Sequence, residues 1–191
     1  SKMSRNLFDE LLNAKSLFLD RRALGHAFTP ESLPHRELEI SVLVNNLVEA
    51  LRGHSPSNMT LYGRPGSGKT AVTRFVCRDL EAKGAAEGSN VKTIEINCRN
   101  IDTKYRVLAQ IGNHLSREGD AVIPFTGWPA DRVFEHVRTR MERDPGVYII
   151  ILDEIDYLVR KGREGDDLLY CLTSLNIGLL KDSFCCVIGI S

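Results

Sequence analysis

The sequence has no long hydrophobic run, no excess of charge of either sign and few cysteines. No apolar stretch in its 191 residues approaches the length of about 20 that a membrane-spanning helix needs. Lys and Arg together number 25, as do Asp and Glu, so the net charge indicates neither a nucleic-acid nor a membrane partner. Hydrophobic residues make up 42%, as in an ordinary globular domain, and we expect no membrane partner.

The cysteines exclude two further classes of protein. There are five, an odd number, and none are in C-x-x-C spacing, whereas a disulfide framework or a zinc site needs paired or regularly spaced cysteines. Most fall on apolar faces of predicted strands and helices, where a free thiol behaves as a small hydrophobic group. We therefore expect reduced thiols and a cytoplasmic protein. The five are Cys77, Cys98, Cys171, Cys185 and Cys186.

The stretch from Gly63 to Thr70 carries the strongest signal. It reads Gly-Arg-Pro-Gly-Ser-Gly-Lys-Thr and fits G-x-x-x-x-G-K-[ST], the phosphate-binding loop. Glycines let the backbone curl so that successive N–H groups point at a phosphate. The helix that follows adds its own N-terminal N–H groups and its dipole. The predicted nucleotide contacts are Arg64, Pro65, Gly66, Ser67, Gly68, Lys69, Thr70 and Ala71.

The segments around this loop have the context that the motif requires. Residues 59–62 predict a short buried strand, and the residues after Thr70 predict a helix that stops at Gly84. Residues 82–90 are predicted to form a polar surface loop. In this arrangement Lys69 reaches the β- and γ-phosphates and the Thr70 hydroxyl binds Mg²⁺. The predicted apolar face of the helix comprises Val72, Phe75, Val76 and Leu80.

An acidic pair follows a second predicted strand. Residues 147–152 are almost continuously apolar, as in a central parallel strand with helices on both faces, and they run directly into Asp153 and Glu154. Nucleotides bind outside the carboxyl ends of such strands. We therefore expect Asp153 to hold Mg²⁺ opposite Thr70, and Glu154 to polarise the attacking water. The alternative is that both acids cap a surface turn. Asp156 is predicted to face solvent or cap a helix.

The rest of the chain alternates between strand and helix patterns, which predicts an α/β fold with a parallel sheet. Residues 117–129 are irregular and contain the single tryptophan, Trp128. The guanine-reading pattern N-K-x-D is absent, which favours adenine. Further predicted helices contain residues 7–12, 40–51, 105–115, 133–141 and 168–175, and further predicted strands contain residues 91–98 and 184–190.

Five segments in this order resemble the archaeal replication initiators, the origin-recognition and cell-division-control branch of the AAA+ ATPases. They are Leu33-Pro34-His35-Arg36-Glu37, residues 63–70, Tyr105-Arg106-Val107-Leu108, Pro124-Phe125-Thr126-Gly127 and Ile151-Leu152-Asp153-Glu154-Ile155-Asp156. The resemblance implies an α/β P-loop NTPase of the AAA+ class, a three-layer sandwich with a parallel sheet that is truncated after its fourth core strand. Residues 1–34 would be an amino-terminal helix and arm, and residues 35–191 an incomplete AAA+ nucleotide-binding domain without the lid and winged-helix domains.

The same resemblance implies a sheet order of 5-1-4-3-2. With the fifth strand absent, the strand before the phosphate-binding loop would lie at an edge, and the arm from Leu7 to Leu33 would be its cover. ATP or ADP with Mg²⁺ would be the cofactors. Leu33, Pro34 and Arg36 would lie near the adenine, and Lys69 and Glu154 would carry catalysis.

The implied partners are origin duplex DNA, contacted by an insertion at about residues 117–128, and other initiator or helicase subunits. The full-length protein would recognise origins and help to load replication machinery, with slow ATP hydrolysis as a switch. The chain alone would hydrolyse ATP weakly or not at all. Two alternatives stay open. One is another AAA+ ATPase, of the clamp-loader or transposition-helper type. The other is a nucleotide-dependent interaction module without turnover.

Overall fold

Helices and strands alternate through most of the chain, as predicted. The computed structural model describes residues 6–13, 36–63, 68–160, 162–175 and 181–191. The helices are α1 (Asp9–Asn13), α2 (Glu37–Leu51), α3 (Lys69–Glu87), α4 (Lys104–His114), α5 (Ala130–Glu142), α6 (Asp156–Val159) and α7 (Glu164–Ser174). The strands are β1 (Met59–Leu61), β2 (Val91–Asn97), β3 (Val147–Asp153) and β4 (Phe184–Ile190).

The four strands form one parallel sheet in the order β1-β4-β3-β2. The first six residues of β3 are buried, as expected of a central strand that is covered on both faces. This order agrees with the one that the resemblance implies. In the described part of the chain, β1 and β2 are therefore the two edges of the sheet.

Two hydrophobic clusters cover the two faces of the sheet and give three layers. Helices α1, α2 and α3 pack on one face, and α4, α5 and α7 pack on the other. The chain therefore has the α/β fold that the sequence pattern predicts and the three-layer arrangement that the resemblance implies. Among the described helices, none has the length and hydropathy needed to cross a bilayer.

The short helix α1 belongs to the first cluster. Leu7, Phe8 and Leu11 are each at most 3% exposed and pack against α2 and α3. The backbone N–H of Leu7 donates to Asp79 Oδ2 at 3.1 Å, and Lys83 of α3 pairs with Asp9 at 2.6 Å. The described part of the arm thus lies on α2 and α3, while residues 14–35 lie outside the described residues. The domain division at residue 34 stays a prediction.

Two local predictions about this half of the chain are wrong. Helix α3 continues through Gly84 to Glu87 and ends at Gly88, which adopts φ +75°. Consequently most of the loop predicted for residues 82–90 is helical. Gly84 serves close packing rather than chain reversal, since a Cβ there would lie 3.0 Å from the Ser89 carbonyl oxygen. Strand β1 is only partly buried, because among the described strands it pairs with β4 alone, and Tyr62 after it is 80% exposed.

The five cysteines are free thiols. Burial raises the pKa of Cys77, of Cys98 and of Cys186 to about 12 in each case. Cys185 is also buried, and burial raises the pKa of its thiol as well. These thiols are packing groups, as predicted, and none is activated as a nucleophile.

Candidate nucleotide-binding site

Helix α3 begins at the predicted phosphate-binding loop. Gly68 precedes the helix in the left-handed region, with φ +85°, where glycine has no steric cost. A Cβ at this position would lie 3.4 Å from Arg36 Nη2, so the arginine lies directly against the end of the loop. The predicted contacts Arg64, Pro65, Gly66 and Ser67 lie outside the described residues, as do Leu33 and Pro34.

Lys69 is the first residue of α3 and is buried at the carboxyl edge of the sheet. Its ammonium donates to the carbonyl oxygen of Gly63 at 2.6 Å and to that of Ser191. These two carbonyls follow the adjacent strands β1 and β4. An ammonium group has three N–H donors, and its hydrogen bonds to described residues use two of them, which leaves one that can bind a phosphate oxygen.

Thr70 and Asp153 meet across the same edge. The Thr70 hydroxyl lies 3.1 Å from each of the two carboxylate oxygens of Asp153. Hydroxyl and carboxylate oxygens are hard ligands, and Mg²⁺ is commonly held by one or two carboxylates together with substrate phosphates. In the described ranges no three His, Cys, Asp or Glu side chains form a separate metal site. The residues present thus fit Mg²⁺ bound with a nucleotide.

Glu154 occupies a strained turn after β3. Its φ is +52°, which costs a non-glycine residue about 1–2 kcal/mol. Two hydrogen bonds hold the turn: Glu154 N donates to Asp153 Oδ1 at 2.9 Å, and Ile155 N donates to the carbonyl of Ile190 at 2.9 Å. Asp156 is exposed in the first turn of α6, in agreement with the prediction that it faces solvent or caps a helix.

These side chains line one cleft of about 620 Å³. A second cleft, of about 230 Å³, lies beside β1, and Lys69 lines both. Arg36 and Tyr62 line the second cleft, and Arg36 is paired with Glu39 at 2.9 Å. The structure therefore brings the predicted residues of the described chain to two adjoining clefts. The first cleft is lined by Gly68, Lys69, Thr70, Ala71, Arg74, Asp153, Glu154, Asp156, Tyr157, Arg160, Ile190 and Ser191.

Sequence reasoning missed Arg74, which lines the first cleft four residues after Thr70. Residues four apart lie on the same face of a helix, so this spacing could have identified it. Its partner Glu95 lies on β2, two residues before Asn97. Asn97 pairs in register with Asp153.

The segment between α4 and α5, residues 115–129, forms neither helix nor strand, which confirms the irregular structure predicted for residues 117–129. Its backbone is fixed at two points by side chains of α4. Asn113 and Ile123 exchange two hydrogen bonds, of 2.9 and 2.8 Å. The Tyr105 hydroxyl donates to the carbonyl of Trp128 at 2.9 Å and accepts from its N–H at 3.0 Å.

Arg140 of α5 and Arg143, which caps the end of this helix, hold the first half of this segment. Arg140 is 4% exposed and donates to the carbonyls of Gly112, at 2.7 Å, and Ala121, at 2.6 Å. Arg143 forms a two-point ion pair with Asp120, with distances of 2.9 and 2.6 Å. These hydrogen bonds to Arg143 hold the pKa of Asp120 well below its usual range.

The tip of the segment carries exposed apolar groups beside arginines. Phe125 is 37% exposed, and the Arg106 guanidinium carbon lies 5.7 Å from its ring centroid. Trp128 packs partly into the core, with Arg132 stacked 3.8 Å from its ring centroid. The two aromatic side chains of the predicted DNA-contacting segment therefore differ: Phe125 is open to a partner, whereas Trp128 supports Arg132.

Comparison with known proteins gives one consistent result. A sequence profile of the AAA ATPase domain matches residues 32–180. An ORC1-type DNA replication protein of Methanospirillum hungatei is 44% identical over 98% of this chain and 45% of its own length. ORC1-type DNA replication protein 1 of Archaeoglobus fulgidus is 45% identical over 97% of this chain and 44% of its own length. The chain thus spans somewhat less than half the length of these relatives.

Solved structures give the same picture. The Aeropyrum pernix ORC1 protein in complex with DNA superposes with a TM-score of 0.72 at 44% identity, over 85% of this chain and 40% of that one. The Aeropyrum pernix ORC2 protein, in its ADPNP-ADP complexes, superposes with a TM-score of 0.66 at 22% identity, over 98% of this chain and 45% of that one. At that lower identity the second likeness shows the fold alone.

Proposed function

The chain belongs to the AAA ATPase domain family, and we propose that it is the ATP-binding part of a DNA replication initiator. The initiator resemblance stated from the sequence is confirmed by its similarity to ORC1-type replication proteins over nearly the whole chain. The single observation that carries the nucleotide proposal is the convergence of Lys69, Thr70, Asp153 and Glu154 on one cleft.

Each of these side chains has a role that follows from its chemistry. Lys69 retains an N–H for the β- and γ-phosphates, and α3 directs its N-terminal N–H groups toward the same anion. Thr70 and Asp153 would hold Mg²⁺, which when bound neutralises phosphate charge during transfer. Glu154 accepts a proton from the attacking water. The second cleft, beside Arg36, is suited to the adenine or ribose.

The cellular role that we propose is that of the ORC1-type relatives, as their name states: DNA replication. The full-length protein would recognise origin DNA and, with other initiator or helicase subunits, help to load replication machinery. Slow ATP hydrolysis would act as the switch. The reduced, buried thiols support a cytoplasmic location.

Nucleotide binding is tested by calorimetry of ATP with Mg²⁺. Lys69→Ala should weaken binding at least about tenfold, because it removes the charge that faces the phosphates. Glu154→Gln should bind ATP normally and hydrolyse it more slowly, because an amide cannot accept the proton. Lys83→Ala is the matched control, since this lysine lies on the same helix but pairs with Asp9 and Glu87. Unchanged affinity in the Lys69 variant would mean that the site is misassigned.

DNA binding is proposed for the tip of residues 115–129. An exposed aromatic beside arginines can press against a groove or base step while the arginines contact phosphates. In the full-length protein, Phe125→Ala should weaken duplex binding about three- to tenfold and leave its salt dependence unchanged. Arg132→Ala should reduce the slope of log affinity against log salt by about one.

The control for the DNA experiment is Tyr170→Ala, which removes a 79% exposed aromatic side chain from α7. Fluorescence anisotropy of a labelled duplex at several salt concentrations measures both quantities. If Phe125→Ala and Tyr170→Ala bind the duplex equally well, the tip of the segment is not the DNA surface.

A further inference from the structure

A charged pair lies at the rim of the nucleotide cleft and has no role in the function proposed so far. Arg74 Nε donates to Glu95 Oε2 at 2.8 Å, and Arg74 Nη2 donates to Glu95 Oε1 at 2.5 Å. The Arg74 side chain is 57% exposed and that of Glu95 is 30% exposed. Exposed ion pairs contribute about 1 kcal/mol or less to stability, so stability alone does not explain this one.

Arg74 lies on α3, as Thr70 does, and Glu95 lies on β2, which pairs with the strand that carries Asp153. Arg74 follows Thr70 by one helical turn on α3, and both line the cleft with Asp153 and Glu154. The Glu95 hydrogen bonds raise the pKa of Arg74, and the charge of Asp153 adds to that shift. Among the described residues, Arg74 Nη1 makes no hydrogen bond, so the guanidinium can bond a second carboxylate.

We propose that Glu95 is a positioning residue that holds Arg74 away from Asp153 and Glu154. This inference rests on the proposed ATP and Mg²⁺ function of the same cleft. Guanidinium and carboxylate groups form strong two-point pairs, and the long arginine side chain can rotate toward either partner. A carboxylate that is paired with Arg74 would have fewer lone pairs for a metal ion or for water. Glu95 would therefore keep the acidic pair available to both.

The proposal predicts opposite behaviour for the two members of the pair. Glu95→Gln releases Arg74 with its full charge, so Arg74 should compete with Mg²⁺ for Asp153. Arg74→Ala removes the competitor, so it should not increase the metal requirement. The variant with both changes should behave like the wild type, because without Arg74 there is no guanidinium for residue 95 to hold away from Asp153. A purely structural role for the pair predicts no such rescue.

The experiment uses the full chain and measures metal binding apart from turnover. Mn²⁺ binding in the presence of ADP is followed by electron paramagnetic resonance. In parallel, the affinity of a fluorescent ATP analogue is measured at increasing Mg²⁺, which gives the Mg²⁺ concentration that produces half of the increase in affinity. Glu95→Gln should raise the Mn²⁺ concentration for half-saturation and this Mg²⁺ concentration about three- to tenfold, as expected when one charge loses its partner at a hydrated rim. The double variant should return to within about twofold of the wild type.

Glu135→Gln is the matched control, because Glu135 pairs with Arg138 on α5, outside the cleft. Thermal melting of each variant establishes that it is folded. Unchanged metal requirements in Glu95→Gln, or a double variant that is impaired as much as Glu95→Gln, would overturn the proposal. If the wild type itself bound no nucleotide, both the proposed function and this inference would be wrong. Metal-dependent nucleotide binding by the wild type separates these two failures.

Discussion

Replacing Arg140 with alanine should destabilise the fold more than any other arginine change on α5. The guanidinium donates to the carbonyls of Gly112 and Ala121 and to Ser116 Oγ, with distances of 2.7, 2.6 and 3.0 Å. Hydrogen bonds to charged groups contribute about 1.5–3 kcal/mol each. Water can replace part of this, since Ala121 and Ser116 are exposed and Gly112 O also accepts from Leu115 N at 3.2 Å.

We therefore assign about 1 kcal/mol to each of the three bonds, or about 3 kcal/mol in total. A chain of this size loses about 2–4 °C of melting temperature per kcal/mol, so the expected decrease is about 6–12 °C. Urea unfolding monitored by circular dichroism gives the free energy, and a thermal melt gives the temperature. Limited proteolysis should show faster cleavage within residues 115–123, because their backbone loses its anchor.

Arg138→Ala is the control for this measurement. Arg138 lies on the same helix, and its one ion pair with a described residue is with Glu135, which lies three residues earlier and is 57% exposed. Its loss should therefore cost less than about 0.5 kcal/mol. If both variants lost less than about 1 kcal/mol, water would be replacing the arginine at every acceptor. The idea that Arg140 holds this segment in place would then be wrong.

Two further predictions concern stability. Phe8→Ala should lower the free energy of unfolding by about 3–5 kcal/mol, because the ring is fully buried between α1, α2 and α3, whereas Leu38→Ala on the exposed face of α2 should cost less than about 0.5. Urea titrations compare the two, and equal losses would contradict the core position of α1. The Asp120–Arg143 pair should make stability depend on pH. Because Arg143 depresses the folded pKa of Asp120, the contribution is complete above the ordinary aspartate pKa of about 4 and is lost as the pH falls through the folded value. Asp120→Asn should flatten the pH profile of unfolding below pH about 4, and an unchanged acid limb would refute the assignment.

The sequence could predict that the residues of the candidate site lie together, because local spacing sets the position of each one on its helix or strand. Lys69 and Thr70 occupy the first turn of a helix that the glycine pattern predicts, and Asp153 ends an apolar strand. The carboxyl ends of parallel strands share one edge of a sheet, so these residues had to meet.

Other features depended on contacts between distant segments. The sequence predicts that α3 stops at Gly84, whereas the helix ends at Gly88. Gly84 instead packs against Ser89 and Val91, and the local sequence does not show these contacts. The hydrogen bonds from Arg140 across residues 112–121 likewise join elements that no short pattern links. Burial decided the difference between Phe125 and Trp128, since both are aromatic residues in an irregular segment.

By itself, the sequence determined the α/β alternation, the phosphate-binding loop and the acidic pair, because residue spacing along one helix or strand carries that information. Only the tertiary structure decided that Arg74 pairs with Glu95, and that Lys69 bonds the carbonyls of Gly63 and Ser191. These contacts join different elements of the fold. Their geometry depends on how α3 packs across β2 and on the edge that β1 and β4 share, and both arise only when the whole core assembles.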